Sequence, residues 1–393
     1  MRLLPLMLLA ACVPPWPEDS GSDGIPLDEL KAGFLYVGPV GDHGWSKTHD
    51  DGRIDLEENL GVVTAYEPSV DPADANDVIA SMVDEGYNVI FTTSFDYVSQ
   101  TQQAAVDFPD TRFLSCSGGV SSDNLSSYMA RMYQPMYLAG MVAGGMTHTN
   151  RLGMVVSVPI PEIARHINAF TLGAREVNPD VVVEVKWIND WFDAELETSY
   201  TNELIARGAD VITNQTDTTI PIETAVGQMA SYDDGSGTVE TPVYTIGYDN
   251  PDSCAQADEN CLTSAYWHWG PMYTEIVSQI ADGSWDPSVI RWDQMQTTPE
   301  QSAVSLSDYS TVVPGSLRLT VDDKIPSLAD PAGSQLPFVG PIKDSSGASR
   351  LATGEALSDE ELNRMCWLVE GVVSNDGSGD QPAVVPNGCD GDD

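Results

Sequence analysis

The chain has 393 residues, 41% of them hydrophobic, which is enough for two domains with cores of ordinary size. Its 60 Asp and Glu against 17 Lys and Arg give a formal charge of -43, a field that repels nucleic-acid phosphates and anionic lipid surfaces and so excludes nucleic acid as a partner. The same excess, with few Lys, suits a salty or extracytoplasmic setting.

The first residues, Met1-Arg2 and the apolar run Leu3 to Ala11, read as a short export signal, too short to span a bilayer as a helix. Leu9-Ala10-Ala11-Cys12 resembles the bacterial lipobox, which implies acylation of Cys12 and an extracytoplasmic body lipid-anchored to a bacterial cell membrane, facing the periplasm or the cell surface. Residues 13–30, acidic and rich in Pro, Gly and Ser at their start, are expected to be a flexible tether. Cys254 with Cys261, and Cys366 with Cys389, are candidate disulfides in an oxidising compartment, whereas Cys116 falls in an apolar strand. No C-x-x-C occurs to favour zinc.

From residue 33 short apolar runs alternate with segments of helical period, the pattern of a parallel sheet covered by helices. Strands are expected at Phe34 to Val37, Val62 to Tyr66, Val89 to Thr92, Phe113 to Ser115 and Tyr128 to Met132, with helices at Trp45 to Asn59, Pro72 to Glu85 and Val98 to Phe108. After the apolar, small-residue helix Met136 to Met146 the pattern restarts. Strands follow at Leu152 to Val156, Val181 to Val185, Val211 to Asn214 and Val243 to Ile246, and helices near Pro161 to Val177, Glu195 to Arg207 and Pro221 to Ala230. A further helix falls near Met272 to Asp282. The expected fold is α/β: two doubly wound parallel-sheet lobes joined by a multi-strand hinge. Lobe 1 takes residues 31–130 plus 250–285, lobe 2 takes 131–249 plus 286–373, and 374–393 form a flexible acidic tail.

In open parallel sheets ligands sit beyond the carboxyl ends of the strands. Those positions hold Asp42-His43-Gly44-Trp45-Ser46, Thr93-Ser94-Phe95, Trp187 through Trp191 to Asp193, Gln215-Thr216-Asp217 and Gly247-Tyr248-Asp249. A single Trp there commonly packs between lobes. One from each lobe, Trp45 and Trp191, can instead sandwich a flat heterocycle, with Asp42 and Asp249 accepting its N-H or hydroxyl groups. Asp42 fits a helix N-cap or turn equally well.

Five stretches in order, Phe34-Leu35-Tyr36-Val37-Gly38, Asp42-His43-Gly44-Trp45-Ser46, Tyr137-Leu138-Ala139-Gly140, Ile246-Gly247-Tyr248-Asp249 and Pro337-Phe338-Val339-Gly340-Pro341-Ile342, resemble the basic membrane protein family of ABC-transporter solute-binding lipoproteins, the PnrA-like group. The resemblance covers residues 31 to 373 and implies a type I periplasmic-binding-protein fold, an ABC permease as membrane partner, and capture of a purine nucleoside or free base by a monomer. It places the ligand at Asp42, Trp45, Ser46, Trp191 and Asp249, with Ser94, Phe95, Gln134 and Asp217 in pocket-lining stretches. Where nucleoside binders of the group tend to carry a Lys near the ribose, this chain has Tyr266-Trp267-His268-Trp269, so Trp267 or Trp269 is expected to wall the pocket and a free base or another flat heterocycle becomes admissible.

No cofactor, catalytic residue or metal site is expected. Gly38-x-x-Gly41-x-x-Gly44 is not a dinucleotide fingerprint, and no G-x-S-x-G, P-loop or H-E-x-x-H occurs. His166 reads as a capping or surface group, Arg165 as solvated or locally paired, and Asp376 to Asp380 as tail rather than a calcium loop. The competing readings are a sensor for a different small heterocycle or a sugar, and an enzyme on the same scaffold. The expected mechanism is hinge closure, Trp45 and Asp42 docking the ligand before Trp191, Asp217 and Asp249 close over it.

Overall fold

The computed structural model describes residues 24–374 apart from 258 and 334. The expected anchor at Cys12, most of the tether, Cys389 and the acidic tail lie outside the described residues.

In chain order the first half reads β1 (Lys31–Leu35), α1 (Trp45–Leu60), β2 (Val63–Glu67), α2 (Ala75–Asp84), β3 (Val89–Thr92), α3 (Val98–Asp107), β4 (Arg112–Cys116), β5 (Leu125–Ala130) and α4 (Tyr133–Met146). It continues with β6 (Arg151–Val156), α5 (Pro161–Val177), β7 (Val182–Trp187), α6 (Ala194–Ala206), β8 (Val211–Gln215), α7 (Ile220–Ala225), β9 (Met229–Asp233), β10 (Thr238–Pro242), β11 (Tyr244–Asp249), β12 (Cys261–Trp267) and α8 (Trp269–Asp282). Beyond these lie β13 (Arg291–Asp293), β14 (Val304–Leu306), β15 (Ile342–Lys343), β16 (Ser349–Leu351) and β17 (Val372–Ser374).

Two sheets result. The first has the order β13-β5-β4-β3-β1-β2 and the second β14-β12-β11-β8-β6-β7-β17. Every pairing in them is parallel except β14 against β12. Central strands such as β3 and β8 are buried along their whole length, because helices cover both faces and leave no face for water.

The chain crosses between lobes at residues 131–132, at His268, and between β13 and β14. This corrects the boundaries read from the sequence. Residues 261–267, expected in lobe 1, are β12 of the second sheet, while 291–293, expected in lobe 2, are β13 at the edge of the first. The helix expected at Pro221 to Ala230 stops at Ala225, and the chain turns into the β9–β10 hairpin. The end of the expected tether is also docked: Ile25 N–H donates to the Ile280 carbonyl at 3.2 Å, and Leu30 is buried. Cys254 and Cys261 are bonded, Cys366 is disulfide-bonded, and Cys116 is free and buried.

Helix α4 is apolar on nearly every side because it lies in the core, packed along α5. Glycine permits that approach: a Cβ at Gly140 would lie 2.0 Å from the Phe170 carbonyl oxygen, and one at Gly173 would lie 1.9 Å from that of Tyr137. Gly140→Ala must push two backbones apart, at a cost of about 1–3 kcal/mol. Thermal melts followed by circular dichroism should show a fall of several degrees, with no change in Gly41→Ala, whose added Cβ meets nothing within 4 Å.

Candidate functional site

The loop after β1 is organised by Asp42. Its carboxylate accepts the backbone N–H of Gly44 (2.9 Å), Ser46 (2.9 Å) and Lys47 (3.0 Å), so it caps the first turn of α1, the second of the two roles open to it from the sequence. Ser46 is fully buried and its Oγ accepts the Gly38 N–H at 3.0 Å; it builds this turn and does not line the cavity, contrary to expectation. The turn sets Trp45 at the cleft, where the indole Nε1–H donates to the Thr93 carbonyl at 2.7 Å.

A small cavity of about 30 Å³ lies between the strand ends of the two sheets. Lobe 1 supplies Val37, Trp45, Ser94, Phe95 and Ser117; lobe 2 supplies Glu162, Ile163, Trp191, Gln215, Asp217 and Tyr248. Trp191 and Asp217 also line an outer groove of about 630 Å³, together with Asp42, Asp96 and Phe192. The two indoles therefore reach one cavity from opposite lobes. Their N–H groups are both taken by protein, since Trp191 Nε1–H donates across the cleft to Asp96 Oδ2 at 3.0 Å. What the rings offer a guest is aromatic surface.

Behind the cavity stands a column of rings. His49 stacks on Trp269 (4.5 Å, 8°) and Trp269 on Trp267 (4.8 Å, 8°), while Trp45 meets both Trp267 and Trp269 nearly edge-on. Trp267 ends β12 and Trp269 begins α8, so the column straddles the crossing at His268. Trp267 supports the wall from behind. Its Nε1–H donates to Asp249 Oδ1 at 2.9 Å. Asp249 is 1% exposed, has a φ of 68°, and its Oδ2 has no partner; a buried non-glycine residue in that conformation is held there by its surroundings.

The electrostatics are one-sided. Burial raises the Asp217 carboxyl well above the usual carboxylate range, and the nearby charges that add to the shift, led by Asp249 and including Asp42, Glu197 and Asp96, are all acidic. Asp249 is raised by burial too, partly opposed by the Trp267 hydrogen bond. Burial also raises Glu162, against the pull of Arg165 and a hydrogen bond from Ser117.

Of the residues expected at the ligand, Trp45, Ser94, Phe95, Trp191 and Asp217 border the cavity, Asp42 borders the outer groove, and Asp249 and Trp267 stand behind. Gln134 does not approach it: fully buried, it donates to the Leu328 carbonyl (3.2 Å) and accepts the Met295 N–H (2.7 Å), clamping the last crossing. His166 is not at the surface; its Nδ1 lies 2.6 Å from Gln215 Oε1, and burial followed by Arg165 pushes its pKa down to about 3. Arg165 is buried as well and donates to the Leu362 carbonyl. Glu162, Ser117 and Tyr248 were missed as site residues. Glu162 reads as an ordinary first-turn acid of α5, although Tyr248 carried the available signal of adjoining a strand end. Among the described residues no group of acidic, His or Cys side chains could hold a metal, and no helix is long and apolar enough to cross a membrane.

With this geometry in hand, the class is clear: two α/β lobes closing on a cavity at their strand ends, as in solute-binding proteins of the type I periplasmic fold. A solute-binding protein of an ABC transporter from Conexibacter woesei shares the fold with a TM-score of 0.60 at 20% identity, covering 76% of this chain and 96% of that one. The family of PnrA-like ABC transporter substrate-binding proteins matches residues 29–297, and the chain belongs to it. It is therefore a substrate-binding protein and not an enzyme. A purine-binding protein of Brucella abortus is 35% identical over 348 residues, covering 88% of this chain and 93% of that protein. A protein of Haloferax volcanii named as an ABC transporter glucose-binding protein is 35% identical over 271 residues, covering 69% of this chain and 66% of that protein.

Two outcomes follow from the site. A Cβ at Gly44 of lobe 1 would lie 2.2 Å from the Asp217 carbonyl oxygen of lobe 2; Gly44→Ala should prop the cleft open, weakening ligand binding at least about tenfold by loss of closure and abolishing any ligand-induced contraction in small-angle scattering. Because the folded-state pKa of Asp217 is raised, its ionisation disfavours the fold: the contribution of this residue to stability is fully present below the ordinary carboxylate range and is lost as pH climbs through the raised value. Asp217→Asn should raise the melting temperature of the unliganded protein at pH 7 by about 1–3 °C, the gain vanishing in acid below about pH 4.

Proposed function

We propose that this protein is the extracytoplasmic component of an ABC importer that captures a purine base or nucleoside between Trp45 and Trp191. The carrying observation is that the two indoles, from different lobes, border a single cavity with their N–H groups already bonded to Thr93 and Asp96. A flat guest stacked there gains about 1–3 kcal/mol per ring, while Gln215, Ser94, Glu162 and Asp217 supply polar atoms at its edges. The purine-binding relative, similar over nearly its whole length, supports this reading. Closure brings Trp191 and Asp217 over a ligand first met by Trp45, and a permease engages the closed form. Acylation at Cys12 would keep the monomer at the membrane.

The glucose-binding relative favours a second reading, in which a hexose packs one apolar face on an indole and its hydroxyls donate to the carboxylates. Titration calorimetry with adenine, adenosine, guanosine, inosine and glucose separates the two. Trp191→Ala should weaken purine binding about 5- to 150-fold, the equivalent of one lost stack, whereas Trp191→Phe, which keeps a ring but loses the bond to Asp96, should lose less. Binding of glucose with no response to any purine would overturn the first reading.

A further inference from the structure

The purine reading leaves the charge of the guest open, and the cavity wall bears on it. Four aromatic rings, from Trp45, Phe95, Trp191 and Tyr248, and two carboxylates, from Glu162 and Asp217, line it; no Lys, Arg or His does among the described residues. The carboxylate of Asp217 receives no hydrogen bond from the described residues, although its backbone N–H donates to the Trp191 carbonyl. Just behind, Asp249 is buried with Oδ2 unpartnered.

We propose that the cavity selects a flat nitrogen heterocycle carrying a positive charge, seated on the indole faces and paired with Asp217. The proposal rests on the stacking assignment above and adds the charge.

The charges that act most strongly on Asp217 are acidic: Asp249 from β11, Asp42 from the turn before α1, Glu197 from α6 and Asp96 from the loop after β3. Arg165 is the cation that acts on Glu162, but its Nη1 is bound to the Leu362 carbonyl and Asn363. Buried His166 is neutral at physiological pH. A neutral guest leaves these acids facing one another in a dehydrated space. A cation compensates them and at the same time attracts the electron-rich faces of the rings. A cation pairs with the carboxylate form of Asp217, so its affinity should rise with pH from the ordinary carboxylate range up to the raised value.

The test uses the full chain and two matched pairs: adenosine against 1-methyladenosine, and nicotinamide against 1-methylnicotinamide, titrated at a series of pH values from the ordinary carboxylate range to neutral. The cationic member of a pair should bind at least about tenfold more tightly at the upper end of the series, with an affinity that rises with pH where its neutral partner's does not. Asp217→Asn, checked for folding by its melting curve, should bring the preference close to unity and flatten that pH dependence. Equal or tighter binding of the neutral members overturns the charge assignment and leaves the stacking reading standing. If neither pair nor any unmodified purine binds, both fall.

Discussion

Trp45 is fixed at the cleft by one hydrogen bond to the Thr93 carbonyl and by edge contact with two further indoles, and the rest of the binding architecture is arranged around that ring. The partner rings come from either side of a chain crossing, Trp267 at the end of a strand of the second sheet and Trp269 at the start of a helix packed on α1. Large aromatic side chains bury much apolar area and prefer stacked or edge-on contacts, so one residue of connection is enough to bind the two lobes along a shared wall. The cavity is thus backed by the hinge itself. Its front, where Trp191 meets Asp96 and Ser117 meets Glu162, depends on contacts that opening would break.

Acidity means different things at the surface and in the cleft. Solvated carboxylates on the outside keep the protein hydrated at small cost. In the cleft the same chemical group is dehydrated, and the fold has compensated Asp42 with three backbone donors and Asp249 with an indole donor while leaving Asp217 open to the cavity. A binding site needs such an unfinished group. The free energy withheld from folding at that residue is what a ligand can recover.

The alternation of strands and helices was legible from periodicity, and α5 begins and ends where the pattern placed it, with Pro161 opening the first turn. The strand-end stretches also held seven of the cavity's eleven residues, Gln215 and Tyr248 among them. The failures share one cause: they depend on contacts distant in sequence. Nothing local in Cys261–Trp267 says which sheet it joins, since its register is set by β11 and β14. The helix expected at Pro221 to Ala230 was drawn too long because Ala, Met and Gln favour helix, whereas Met229 and Ala230 are taken into the hairpin by a partner strand. Ser46 and Gln134 are polar residues near the right elements, yet each was needed to satisfy backbone groups in a turn or a crossing. Glu162 was overlooked for the converse reason, an unremarkable residue type in a first turn that the fold happens to aim at the cleft.

The docking of Ile25 to Leu30 against the first lobe has a mechanical meaning. A load entering the described chain at residue 24 is transmitted through the backbone contact with Ile280 to α8, and so to the body that carries Trp45. A restraint on the upstream segment therefore acts first on the body that carries Trp45, and the body that carries Trp191 feels it only through the chain crossings.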